Sequence, residues 1–123
     1  MQLYVDGMGE PRMLLGIYLE EDNDLLTWEA ESKGYRSDIY VKVDAEMFQV
    51  VAYDMVRITQ DFNDELQNSG FYSIDPNLIL LKSVTKDEII LTITRLHQHH
   101  FFKALKPLAE EDISNLSLVK INE

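Results

Sequence analysis

Three histidines within four positions, His97, His99 and His100, are the residues of this chain whose type and spacing come nearest to chemistry. Imidazoles so placed could bind zinc or act as a general base near neutral pH. On a helix, at roughly 100° per residue, His97 and His100 share a face and His99 points away. A zinc-binding helical pair of the HExxH kind needs its histidines at i and i+4 around a glutamate, and that spacing is absent. His97 and His100 also continue the apolar stripe of Ile89, Ile93 and Leu96. The reading is therefore structural histidines at a helix edge, with no catalytic residue, no metal ligand and no cofactor assigned.

Carboxylates form the second group. Residues 20–31 hold six acids and no base: Glu20, Glu21, Asp22, Asp24, Glu29 and Glu31. An EF-hand loop needs acids at alternate positions, a central glycine and a distant glutamate, and Leu25-Leu26 breaks that register. The alternatives are solvated turn acids or a patch facing a cationic partner. Asp61, Asp64 and Glu65 make a second set, partly neutralised by an Arg57–Asp61 pair at i,i+4. Their functional reading is carboxylates presented to Lys or Arg, where fork geometry is strongest. Tyr18 and Tyr40 fall on the polar side of their strands, either exposed beside these acids as contact aromatics or covered by a helix. Trp28, on the Leu26/Ala30 side, is assigned to the core. Phe101 and Phe102 split across two helix faces. No GxxxxGK[ST], GxGxxG or GxSxG motif is present.

These groups must be held by strands first and helices later. Met13, Leu15, Ile17 and Leu19 alternate with Leu14, Gly16 and Tyr18, a period-2 strand, with Leu3–Val5 before Gly7 and Gly9 as an edge strand. After the turn Glu21-Asp22-Asn23-Asp24, Leu26, Trp28 and Ala30 alternate with Thr27, Glu29 and Glu31, which reads as a second strand. Ile39, Val41 and Val43 give a third. Met55, Ile58, Phe62 and Leu66 fall on one helical stripe, capped by Asp54 and closed by Gly70. Residues 44–53 admit two readings, an upstream extension of that helix or a strand hairpinned to 38–43; the helix is the reading taken. Leu78–Leu81 suits a central strand. Thr85-Lys86-Asp87-Glu88 is a capping box for a helix carrying Ile89, Ile90, Ile93, Leu96 and Ala104, stopped by Pro107. Leu116–Ile121 completes the set as a last strand. The expected fold is α+β, one domain over 1–123, with a largely antiparallel sheet and two main helices on one face.

Composition narrows the function. The chain has 123 residues, 22 Asp+Glu against 11 Lys+Arg, a net charge of −11 and no cysteine. Disulfides and thiolate chemistry are excluded, and a reducing compartment fits. The acidic N-terminus lacks a signal-peptide pattern, and no apolar run approaches a membrane span, so a cytoplasmic protein is expected. Such a charge is repelled by nucleic acid phosphates and anionic lipid, leaving neither as a partner, but it suits a basic protein.

Small size, absence of cysteine, the net charge of −11, the strand–helix plan and the lack of an active-site motif together resemble the small acidic immunity proteins of bacterial toxin–immunity pairs. That resemblance implies a non-enzymatic inhibitor that binds a basic cognate toxin, often a nuclease, and covers its active site or substrate groove. The partner surface is expected at Glu20, Glu21, Asp22 and Asp24 with Tyr18 beside them, together with Asp61, Asp64 and Glu65. The alternatives are a small His-dependent hydrolase or nuclease, a DNA mimic, and an accessory subunit of a larger complex.

Overall fold

The computed structural model describes residues 3–5 and 11–122. The expected link through Gly7 and Gly9 lies outside the described residues. The elements run β1 (Leu3–Val5), β2 (Pro11–Leu19), α1 (Asp24–Lys33), β3 (Tyr35–Val43), β4 (Glu46–Tyr53), α2 (Met55–Asn68), β5 (Leu78–Leu80), α3 (Lys86–Gln98), a 3-10 turn (Phe101–Lys103), α4 (Glu110–Ile113) and β6 (Val119–Lys120). The sheet order is β1-β2-β3-β4-β5, antiparallel except for the β4–β5 pair. That one parallel pair exists because α2 carries the chain back across between its strands. β6 joins the β2 edge that β1 leaves open, and Asn122 Oδ1 accepts from the Ile17 amide there at 2.7 Å. The α+β class and the largely antiparallel sheet expected from the sequence are present. Among the described residues, no helix is long and apolar enough to cross a membrane.

The core lies on one face of the sheet. Ile17 and Leu19 of β2, Ile39, Val41 and Val43 of β3, Phe48, Val50 and Ala52 of β4, and Ile79 of β5 are all buried. The pairings Ile17↔Val41, Val41↔Phe48 and Ala52↔Ile79 carry them across the strands as one layer. Helix α3 closes that layer with Ile89, Ile93 and His97, starting where Thr85 Oγ1 accepts from the Glu88 amide at 3.3 Å. The covering is uneven, because α2 buries none of its 14 residues.

Four expectations need correction. Residues 24–33 form helix α1, not a strand. The Asn23 side chain accepts from the Leu26 amide at 2.9 Å, and Gly34 closes the helix in the left-handed region at φ 69. These two caps outweigh the ambiguous alternation between them. Residues 46–53 form strand β4, not an upstream part of α2. The β-branched and aromatic residues Phe48, Val50, Val51 and Tyr53 favour a pleated surface. Asp44 takes a positive φ of 53 in the tight turn that folds the strand back onto β3. Helix α3 ends at Gln98, well before Pro107, so Ala104 lies outside it. His100 turns left-handed at φ 63, and the 3-10 turn brings Phe102 to 5.4 Å from Phe48. The last strand shrinks to Val119–Lys120.

Candidate functional site

The acid-rich segment connects the end of β2 to α1, and its residues differ in what they touch. Glu20 is tied to the sheet: its amide donates to Asp38 Oδ2 at 3.2 Å, and Tyr40 Oη donates to Glu20 Oε1 at 2.8 Å. Burial, then that hydrogen bond and the charges of Glu20 and Asp38, push the Tyr40 phenol up to about 12. Asp22 accepts from Lys86 Nζ at 2.8 Å, fastening the turn to the start of α3. Asn23 caps α1. Beneath them Arg36, buried at the end of the core layer, donates to Asp38 Oδ1 at 2.7 Å and to the Glu21 carbonyl at 2.7 Å. A buried guanidinium with its donors used in this way holds the loop in place. The loop is thus anchored from below by four separate contacts, which leaves the remaining acids pointing outward on a fixed base.

Glu21, Asp24 and Glu31 are exposed and make no ion pair among the described residues. Glu29 reaches Lys33 at 4.0 Å one turn on, a surface pair of small effect. An open cleft of about 300 Å³ runs between α1 and the start of β3, lined by Glu20, Glu21, Leu26, Glu29, Tyr35 and Arg36 among others.

Trp28 is not in the core. It is 65% exposed, and Leu25 is 64% exposed. The helix turns Leu26 and Ala30 toward the sheet, and residues 25 and 28 therefore face the opposite way. Sequence reasoning missed both because it took the segment as a strand. The signal that would have found them is Asn23 and Gly34 bracketing a ten-residue helix.

The α2 acids behave differently. Asp61 accepts from Arg57 Nε at 3.1 Å as expected, and Arg57 also sits 5.0 Å from the centre of the Tyr35 ring. Burial and a hydrogen bond to Asp61 raise the Tyr53 phenol far above its ordinary value. Asp61 is thus engaged within the molecule. Asp64 is exposed, and Glu65 accepts from Ser69 Oγ at 3.4 Å. The start of α2 meets the end of α1, where the Asp54 amide donates to the Gly34 carbonyl at 2.9 Å. Asp64 and Glu65 lie some ten residues further along α2, and among the described residues no hydrogen bond or ion pair joins them to the turn.

Tyr18 is half-buried, its phenol folded over Gly16, where any Cβ would collide with it. Tyr40 is buried. The histidines diverge: His97 is fully buried in α3, His99 caps it and is exposed, and His100 has left the helix. The shared helical face expected for His97 and His100 is therefore not formed. Among the described residues, no three His, Asp or Glu side chains gather as a metal site.

No protein-family model matches this chain, and neither a curated protein nor a solved structure is significantly similar to it.

Proposed function

We propose that this protein is a non-enzymatic acidic binder that neutralises a basic protein partner, in the manner of the immunity half of a toxin–immunity pair acting in the cytoplasm. The observation that carries the reading is the set Glu21, Asp24 and Glu31, which make no ion pair among the described residues and stand on a loop and helix that are otherwise firmly anchored. Like charges held together on a rigid base cost folding free energy, and a cationic partner recovers it. A protein that must bind phosphate presents a basic groove, and an acidic ridge can occupy that groove by charge complementarity, associating faster than the neutral ~10⁵–10⁶ M⁻¹s⁻¹. The divergence of the three histidines favours binding over His-based hydrolysis.

The test is affinity capture from the source cell with the wild type and with a Glu21→Gln/Asp24→Asn/Glu31→Gln variant. These substitutions remove charge but no side-chain ion pair among the described residues. The expected result is a basic protein retained by the wild type and largely lost by the variant, whose own activity stops when the wild type is added. Equal capture by both proteins, or an acidic captured protein, would contradict the proposal.

A further inference from the structure

Helix α1 turns Leu25 and Trp28 away from the molecule. At about 100° per residue, Leu25, Trp28 and Ser32 form the outward crest, opposite Leu26 and Ala30. Asp24 and Glu31 flank that crest on one side and Glu29 on the other, with Glu21 just before it. Burial of an indole removes a large apolar area from water, and a tryptophan left out on a helix crest forgoes that gain within its own fold. Anchored, exposed tryptophans inside a polar rim are typical of interface hot spots.

We propose that the Leu25–Trp28 crest is the anchor of the partner interface, and that its occupant is a protein surface bearing an apolar pocket rimmed by Lys or Arg. The inference rests on the α1 region being the partner-binding surface. Charge complementarity selects the occupant. Acids stand on both flanks of the crest, and the one base within the helix, Lys33, is already beside Glu29 at 4.0 Å. A second copy of this chain would bring acid against acid, with a net charge of −11 on each. A purely apolar groove would strip water from Asp24 and Glu31 without replacing it. A basic rim satisfies both carboxylates while the pocket takes the indole. The roles then divide: the outer acids set the rate of encounter, and Trp28 sets the rate of escape.

Trp28 is the only tryptophan in the chain, so its fluorescence reports directly on this surface. The probe is a synthetic Leu/Lys amphipathic helical peptide without tryptophan, with a Leu/Glu peptide of the same periodicity as control. The Leu/Lys peptide is expected to shift Trp28 emission to the blue and shield it from acrylamide, while the Leu/Glu peptide does neither. Trp28→Ser should weaken Leu/Lys binding, read by calorimetry, about 30-fold, as for a hot-spot residue, and Trp28→Phe should restore most of it. Failure of the Leu/Lys peptide to bind, or a blue shift caused equally by Leu/Glu, would overturn the proposal. So would binding without an emission change that is lost in Phe62→Ser, since that moves docking to α2. Emission that is already blue and reddens on dilution would mean that a second copy covers the crest. A captured natural partner separates the two readings: binding that survives Trp28→Ser but not the triple acid variant removes the anchor and keeps the acidic binder.

Discussion

Helices α1 and α3 begin alike, each with a polar side chain capping its first turn, yet they treat their apolar residues in opposite ways. Helix α3 turns Ile89 and Ile93 fully into the core. Helix α1 buries Ala30, half-buries Leu26 and holds Leu25 and Trp28 outside. The difference lies in what fixes each helix. Packing of its apolar stripe holds α3 on the sheet. Two caps, the Lys86–Asp22 pair and the Arg36 clasp on the Glu21 carbonyl hold α1 and the turn before it. A helix fixed by polar contacts at its ends leaves its crest available for something else. Residue type alone therefore does not say which way a large apolar side chain points.

The comparison is broken most directly by deleting one apolar side chain from each helix. Ile93→Ala should destabilise the protein by ~2–5 kcal/mol, because it opens a cavity in a packed layer. Trp28→Ser, which removes a larger group, should stay within ~0.5 kcal/mol of the wild type. Urea unfolding of both variants decides it; a large loss at Trp28 would mean that the crest is covered within the fold.

The end-anchoring of α1 is sharpened at Gly34. An alanine there must adopt a left-handed backbone and bring its Cβ against the Asp54 carboxylate. The expected cost is at least ~1 kcal/mol, measured by the same unfolding, with loss of the α1–α2 junction visible in amide exchange. An unchanged midpoint would show that the cap does not fix α1.

The smallest effect concerns alkaline pH. Tyr40 is raised to about 12 and Tyr53 is raised further, in both cases first by burial and then by a neighbouring carboxylate. The folded state therefore keeps these protons where the unfolded chain, with phenols near 10, releases them. Their contribution is complete below pH ~10 and is lost as the pH rises through the folded values. Tyr40→Phe should flatten the fall in stability between pH ~10 and ~12; a slope equal to that of the wild type would remove the Glu20–Tyr40 contact from the account.

Much of this arrangement was legible in the residues. The strands at Met13–Leu19 and Ile39–Val43, the Asp54 cap, Thr85 at the start of α3 and the Arg57–Asp61 pair all appear where local pattern puts them. A register shift between Leu14 and Gly16, however, breaks the alternation of the first strand and buries Leu14 in place of Met13 and Leu15. What failed were segments where two periods fit the same letters. Leu26-Thr27-Trp28-Glu29-Ala30 alternates as a strand does, but it also places Leu26 and Ala30 at i,i+4, and only the flanking Asn23 and Gly34 decide between them. Residues 46–53 depend on a turn at Asp44, whose left-handed backbone a periodicity argument does not see. The acid-rich segment was legible because charge needs no phase, but which of its acids are held internally was not. Glu20 is taken by Tyr40 and Asp22 by Lys86, and Glu31 was not among the residues singled out for the partner surface. Trp28 was not legible, because its direction follows from the helix that was missed.

The central claim is that unpaired acids on an anchored ridge draw in a basic partner. The association rate of the captured partner, followed from low salt to ~0.5 M, tests it most directly, since the Debye length shrinks from ~10 Å at 0.1 M to a few Å over that range. The rate should fall steeply with salt for the wild type and nearly level out for Glu21→Gln/Asp24→Asn/Glu31→Gln. A wild-type rate that does not change with salt would contradict it.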